Sequence, residues 1–236
     1  LRVSAGGEDD ARNIAKRKRE GYEFCGCVDY LNMSSKLLPS RLAVVRIDVD
    51  YSLKRAEKLS GILKSLGVRG TFFIRLHANE YNPFSFESYR IVKQLQRDGH
   101  EIGYHSEIVD AGEIWGERVE ECLRRDIDVF NRMYGVDIEG IASHGGFTGY
   151  NNLDFWRDRE PEEFGLRYEA YDARTFGLFN RSLYVSDSEW TQWKCYDKGE
   201  LQVDNRKSFA EHALDGRDLI YLLIHSDTYF EHHFYE

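Results

Sequence analysis

The sequence contains no uninterrupted apolar run long enough to cross a membrane, and residues 1–20 are too charged for a secretory signal peptide. It also lacks a second basic cluster beyond the run from Lys16 to Arg19, and the formal net charge of its 236 residues is -9. Binding to a nucleic-acid backbone depends on clustered Lys and Arg, so this balance argues against a nucleic-acid partner. We therefore expect a cytoplasmic globular protein without a membrane span.

Cysteine is scarce, and none of the 4 cysteines forms a Cys-x-x-Cys pair. Cys25 and Cys27 are separated by a single residue, and no other cysteine pair is present to complete a structural zinc site. A chain of this size does not need disulfides to fold. We expect free thiols and no metal centre built on cysteine.

Short β-branched runs alternate with amphipathic helices along most of the chain. The run from Leu42 to Ile47 is typical of a buried parallel strand, and the apolar residues after it have helical spacing up to Gly67. Further strands are predicted at 70–75, 101–105, 167–171, 183–185 and 219–224, with one more ending at Ser143, and further helices at 8–20, 85–97 and 113–134. Such alternation predicts a single α/β domain, a barrel with a parallel sheet, over residues 41–236. Residues 1–40 are expected to be an N-terminal helix and an irregular lead-in packed on the barrel.

Four of these predicted strands end in residues that bind metals or move protons. They are Asp48 and Asp50, His105 and Glu107, His144, and His225 and Asp227. The carboxyl ends of parallel strands lie on one face of such a fold, so these side chains are expected to converge. A single strand-end His or Asp is usually a capping or hydrogen-bonding group, but four such ends favour a common site.

The pair Asp48 and Asp50 suggests a division of roles. Alternate residues of a strand point the same way, and two crowded carboxylates repel each other unless one binds a cation or is protonated. One carboxylate would then bind a metal while the other acts as a general base, although Asp50 as a simple helix cap is the alternative. His105, with His144 or a nearby carboxylate, would complete a site with an open water position. We expect one divalent metal ion, with zinc the first candidate and cobalt, nickel, manganese or iron as alternatives.

Four segments of the chain resemble known motifs: Arg46-Ile47-Asp48-Val49-Asp50, Gly70-Thr71-Phe72-Phe73, Asp98 to Ser106, and Leu222-Leu223-Ile224-His225. Together they resemble the polysaccharide deacetylases of carbohydrate esterase family four over residues 41–229. The resemblance implies a distorted (β/α)7-type, NodB-like barrel that removes acetyl groups from N-acetylated sugars. It also implies that Asp48 is the catalytic base, that Asp50 and His105 bind the metal, and that His225 is the general acid.

Two departures from the family pattern concern the site. Val109 stands where the family has a second metal-binding His, and the family's Arg-x-Pro-Tyr motif is represented at best by the turn starting at Ser143. We predict His144 as the replacement ligand, with Glu107 and Asp110 as alternatives. Arg46 or Arg75 is expected to replace the missing Arg and to keep Asp48 ionised. Similar departures occur in a deacetylase-like branch associated with surface-polysaccharide synthesis, which the segments 81–84 and 183–187 resemble.

The predicted function is metal-dependent hydrolysis of the acetamide of an N-acetylated sugar or polysaccharide. Two alternatives stay open: an amidohydrolase for a small non-carbohydrate amide, and a catalytically silent barrel that serves as a carbohydrate-binding or scaffold protein. Four aromatic residues are candidates for stacking on sugar rings, although core packing is the more common role of such residues. They are Trp115, Tyr150, Trp156 and Trp190. The sequence leaves the substrate and the oligomeric state open.

Overall fold

A computed structural model describes residues 14–18, 20–33, 38–189 and 192–228. Within them the strands are β1 Glu23–Cys25, β2 Leu42–Val49, β3 Thr71–Ile74, β4 Glu101–Ser106, β5 Gly140–Ser143, β6 Tyr168–Glu169, β7 Leu183–Ser186, β8 Lys194–Asp197, β9 Glu200–Leu201 and β10 Leu219–His225. The α-helices are α1 Cys27–Asn32, α2 Leu53–Ser65, α3 Phe86–Arg97, α4 Ile108–Trp115, α5 Val119–Tyr134 and α6 Phe209–Leu214. Residues 14–18 are also helical. Three 3-10 helices span Asn152–Asp158, Pro161–Phe164 and Ser226–Thr228.

One sheet organises the fold, with its strands in the order β6-β5-β4-β3-β2-β10-β7-β8-β9. Every neighbouring pair from β6 to β7 is parallel, whereas β8 and β9 are antiparallel additions. The predicted α/β fold with a parallel sheet is therefore confirmed. Among the described residues no pairing joins β6 to β7, so the sheet does not close into a hydrogen-bonded ring.

The central strand β2 is buried along its whole length, which explains its continuous run of apolar residues. Helix α2 covers one face with Ala56, Leu59 and Leu63, all fully buried at helical spacing. The Ser52 hydroxyl accepts a hydrogen bond from the Arg55 amide and so caps the first turn. Because β2 is held in the middle of the sheet, the residues that follow it are placed rigidly at its carboxyl end.

The lead-in before residue 41 contains regular structure that the sequence analysis did not predict. Strand β1 pairs in parallel with the first half of β2, and β3 takes over the same edge of β2 from Arg46 onwards. The first turn of α1 is tied to the sheet, because the Cys27 amide donates to Thr71 and the Val28 amide donates to Glu101. The segment thus extends the sheet; the domain boundary near residue 40 stays a prediction. The helix predicted at 8–20 lies partly outside the described residues.

The single helix predicted over 113–134 is wrong, because the structure has two helices there. Gly116 adopts a left-handed conformation with φ of 65° and ends α4, and α5 begins after Arg118. Glycine is the residue that takes this conformation at least cost, so the break is encoded locally. The consequence for the site is that α4 starts directly after β4 and carries Asp110 close to the sheet edge.

The described helices do not include one with the length and hydropathy needed to cross a membrane. All four cysteines are buried and free.

Two glycines provide a matched test of packing. A Cβ at Gly103 in β4 would lie 2.5 Å from the buried Phe73 ring, whereas a Cβ at Gly61 in α2 would meet no atom within 4 Å. We expect Gly103→Ala to lower the free energy of unfolding by about 1–3 kcal/mol through overpacking. Gly61→Ala should raise it by up to about 1 kcal/mol because alanine favours the helix. Chemical denaturation measures both, and a Gly103→Ala protein as stable as the parent would contradict this packing.

Candidate metal and catalytic site

The carboxyl ends of β2, β4, β5 and β10 open into one cleft of about 680 Å³. Asp48, Asp50, His105, His144 and His225 all line it. Strand β10 lies beside β2 in parallel register, and His225 is paired directly with Asp48. The structure therefore brings together the five residues that the sequence analysis named as catalytic or metal-binding.

Asp50, His105 and His144 have the geometry of a site for one cation. Their ligand atoms all lie within 4.8 Å of one another. The Oδ1 atom of Asp50 is 3.3 Å from His105 Nε2 and 4.0 Å from His144 Nε2, and it is buried without a hydrogen-bond partner among the described residues. Ligands at about 2.1 Å from a tetrahedral ion lie roughly 3.4 Å apart, so the three residues fit a divalent cation.

The two histidines direct ring nitrogens at this position, and their pKa values shift in opposite directions: burial lowers the pKa of His105, but Asp48 and Asp50 outweigh it and raise the pKa. His105 Nδ1 donates to the Ala142 carbonyl at 2.9 Å, and Nε2 lies 3.3 Å from Asp50 Oδ1 and 3.4 Å from Asp48 Oδ2, so a cation that binds there would displace the Nε2 proton. Burial, and then the neighbouring His105, lower the pKa of His144 to about 4. His144 is therefore neutral near pH 7 and able to bind a metal.

The alternative ligands, Glu107 and Asp110, accept hydrogen bonds from other residues. Glu107 Oε1 accepts hydrogen bonds from Arg75 at 2.7 and 3.1 Å, and it lies 3.5 Å from His144 Nδ1. Asp110 accepts hydrogen bonds from the Phe147 and Thr148 amides, the Thr148 hydroxyl and the Asn152 amide group. Asp110 therefore holds the loop after His144, Glu107 lies beside the His144 ring, and neither carboxylate belongs to the cluster of ligand atoms.

Asp48 is held as a carboxylate by Arg46. The guanidinium group donates from Nε to Oδ1 at 2.8 Å and from Nη2 to Oδ2 at 2.7 Å, and both residues are buried. Burial alone would raise the pKa of Asp48, but Arg46 and then His105 outweigh it, so the pKa is lower than usual. Arg75, the other arginine considered for this task, instead donates to the Asp50 carbonyl and to Glu107.

His225 is oriented by Asp187, a residue that the sequence analysis did not select. Asp187 Oδ1 lies 2.6 Å from His225 Nδ1, and both carboxylate oxygens accept from the His225 amide at 3.0 Å. The Nε2 atom is thereby turned towards Asp50 Oδ2, 3.7 Å away. Burial lowers the pKa of His225, but Asp187 outweighs it and the pKa rises to about 9. Asp187 follows β7, so it was detectable as a further strand end with a carboxylate.

Asp227, the last of the predicted strand-end residues, does not line the cleft. Its Oδ2 atom accepts from the Tyr51 amide at 3.0 Å, and burial raises the pKa of its carboxyl group to about 6. It connects the loop after β2 to the end of β10, so its contact is structural and it is not one of the proposed metal ligands.

We expect Asp187→Asn to shift the alkaline limb of the pH-rate profile. If His225 acts as a protonated acid, activity falls as the pH rises through its pKa, and loss of the carboxylate moves that fall to lower pH. The profile of kcat/KM measures the shift. Asp215→Asn is the matched control, because Asp215 pairs with Lys207 at the surface. An unchanged alkaline limb in Asp187→Asn would contradict the role given to His225.

The aromatic wall of the cleft differs from the aromatics that the sequence analysis considered. Tyr171, Phe179, Tyr184 and Tyr196 line it. Trp156 is only 5% exposed and belongs to the core, which is the more common role of such residues, so it is not available for stacking. Trp115 and Tyr150 are exposed but do not line the cleft, and Trp190 lies outside the described residues.

No protein-family model matches the chain, and no curated protein matches it. Among solved structures, it is similar to a family 4 carbohydrate esterase from Bacillus anthracis, with 14% identity and a TM-score of 0.46 over 98% of this chain and 81% of the other. It is similar to the Streptococcus pyogenes deacetylase PplD in complex with acetate, with 15% identity and a TM-score of 0.43 over 58% of this chain. It is also similar to a CE4 family pseudoenzyme from Bacillus anthracis, with 14% identity and a TM-score of 0.47 over 80% of this chain.

The matched region spans 61% of the streptococcal deacetylase and 57% of the pseudoenzyme. The two proteins from Bacillus anthracis are described as members of carbohydrate esterase family four, the family that the sequence motifs resemble. An enzyme and a pseudoenzyme both occur among them, and the activity of this chain is therefore argued from its own residues.

Proposed function

We propose that the protein is a metal-dependent hydrolase that removes the acetyl group from an N-acetylated sugar. One observation supports this most directly: a carboxylate base, three ligand atoms for a cation and a histidine acid share one cleft. Each group has the partner that its role requires. Arg46 keeps Asp48 ionised, and Asp187 orients His225.

The cation would be held by Asp50, His105 and His144. When bound, a divalent cation supplies Lewis acidity, which lowers the pKa of water and polarises an amide carbonyl. The other steps belong to the side chains of the chain itself. Asp48 accepts the proton of the attacking water, and His225 Nε2 donates a proton to the departing amine nitrogen. The backbone of Gly145, which also lines the cleft, is the candidate donor to the oxyanion.

The features of this cleft also bear on the two alternatives, a silent scaffold and an amidohydrolase for a small amide. A silent scaffold has no need for three potential ligand atoms within 4.8 Å of one another in a cleft that also holds Asp48 and His225. An amidohydrolase for a small amide would keep the same catalytic groups, and only the substrate panel separates it from a sugar deacetylase. The carbohydrate part of the proposal rests on the sequence resemblance and on the aromatic wall.

The proposal is tested by acetate release from a panel of N-acetylated mono- and oligosaccharides and of non-sugar acetamides. We expect release from sugars, loss of release after chelation, and recovery when one divalent metal is added back. Elemental analysis should find about one metal ion per chain. Release that survives complete metal removal, or acetamide hydrolysis without any sugar hydrolysis, would contradict the proposal.

A further inference from the structure

The antiparallel hairpin of β7 and β8 forms the aromatic side of the cleft. Tyr184 and Tyr196 are directly opposite each other across the two strands, with their ring centroids 5.9 Å apart. Lys194 lies two residues before Tyr196, so both side chains project from the same face of β8. Lys194 and Tyr196 both line the cleft, together with the proposed catalytic groups.

The ammonium group of Lys194 is only loosely engaged by the protein. It lies 5.6 Å from the centre of the Tyr196 ring and 4.0 Å from Glu189 Oε1. The other oxygen of Glu189 accepts from Arg206 at 2.9 Å. No hydrogen bond from Lys194 Nζ to another described residue is found, although an ammonium group can donate three. The group is therefore able to bind an anion at the cleft wall.

The charge balance of the cleft favours such an anion. Besides histidines, the charged residues lining it in the described part of the chain are Arg46 and Lys194, which are cationic, and Asp48 and Asp50, which are anionic. Arg46 is matched by Asp48 in two hydrogen bonds, and Asp50 is one of the proposed cation ligands. Glu189, 4.0 Å from Lys194, brings the sum of these charges to -1, so a bound divalent cation would make the region net positive, whereas the whole chain carries a charge of -9. A negatively charged substrate would be attracted to this one region.

We propose that Lys194 and Tyr196 form a subsite for an anionic group next to the acetamido sugar, so that the substrate is an anionic N-acetylated saccharide. The inference rests on the proposed function, because it assumes that acetyl groups are removed in this cleft. The Tyr196 ring offers an apolar face for a pyranose, and Lys194 offers a charged donor for a carboxylate or a phosphate. Such an anion comes either from a uronic acid in a glycan or from the phosphates of a nucleotide sugar.

The experiment compares three probes: a neutral chito-oligosaccharide, an oligosaccharide of alternating uronic acid and N-acetylglucosamine, and UDP-N-acetylglucosamine. Acetate release gives kcat/KM and calorimetry gives Kd for the metal-loaded protein. The variant is Lys194→Met. The control is Lys198→Met, which changes an exposed lysine in the turn between β8 and β9 that does not line the cleft.

We expect one anionic probe to exceed the neutral probe by about tenfold or more in kcat/KM, since one charge-assisted hydrogen bond accounts for such a factor. Lys194→Met should remove that preference and leave the neutral probe unchanged, while Lys198→Met should behave like the parent. The probe that is preferred identifies the source of the anion.

Equal kcat/KM and Kd for neutral and anionic probes would overturn the subsite, and so would an equal loss on every probe in Lys194→Met. Tight binding of an anionic probe that depends on Lys194, without any acetate release, would keep the subsite and reject the deacetylase activity. The two proposals therefore fail in different ways.

Discussion

Asp48→Asn is expected to lower kcat for acetate release by about 10²–10⁴-fold while the metal content stays near that of the parent. The physical reason is that an amide cannot accept the proton of the attacking water, whereas the three proposed ligand atoms belong to Asp50, His105 and His144. Steady-state kinetics and elemental analysis on the same preparation measure the two quantities. A variant that loses metal and turnover together would contradict the assignment of Asp48 as the base.

The design must separate loss of the base from loss of stability. Arg46 is 1% exposed, and without the Asp48 carboxylate it becomes a buried, unpaired charge, which costs about 3–5 kcal/mol of folding free energy. The double variant Arg46→Met/Asp48→Asn removes both charges and should recover part of that stability without recovering activity. Thermal denaturation of both proteins shows whether an inactive variant is folded. Activity that returns in the double variant would rule out Asp48 as the proton acceptor.

His105→Ala is expected to abolish both metal binding and turnover. The ring supplies one of three protein ligands, so its loss should weaken metal affinity by more than the roughly 10–100-fold seen for outer hydrogen-bond partners. His144→Ala should have the same effect, because its ring supplies another of the three proposed ligand atoms. Isothermal titration with zinc and with cobalt measures the affinities.

Two control variants show whether a loss of metal affinity is specific to the proposed ligands. His77→Ala removes a histidine that pairs with Asp126 at 2.9 Å and does not line the cleft, so metal affinity should not change. Glu107→Gln keeps the shape of the residue beside His144 Nδ1 and should produce only the smaller, outer-partner loss. Full metal occupancy in His144→Ala, together with a complete loss in Glu107→Gln, would transfer the third ligand to Glu107.

The sequence pattern predicted most strands of the sheet and the residues at their carboxyl ends. The predicted strands at Leu42, Gly70, Glu101 and Leu219 all occur, because continuous apolar runs between helices are buried on both faces of a parallel sheet. The segment from Gly21 to Ser40 was harder to interpret. Its strand has only three residues, and a run that short has no periodicity to detect.

The residues of the candidate site were foreseeable to different degrees. Asp48, Asp50, His105 and His225 follow long or well-marked strands, so their convergence could be expected from the topology of parallel folds alone. Asp187 also follows a strand, β7, but its partner His225 is 38 residues away in the chain, so only the fold shows that the two residues meet. Part of the aromatic wall was missed because Tyr184 and Tyr196 meet only through the antiparallel pairing of β7 with β8.

The sequence by itself determined that chemically active side chains would stand at one edge of a parallel sheet, because strand direction and residue alternation are local properties of the chain. Only the tertiary structure decided which of them face one another. His144 was separated from Glu107 and Asp110 by hydrogen bonds to Arg75, Thr148 and Asn152, none of which is encoded by spacing. The direction of a side chain at a loop depends on the partners that hold it, and folding brings those partners from distant parts of the chain.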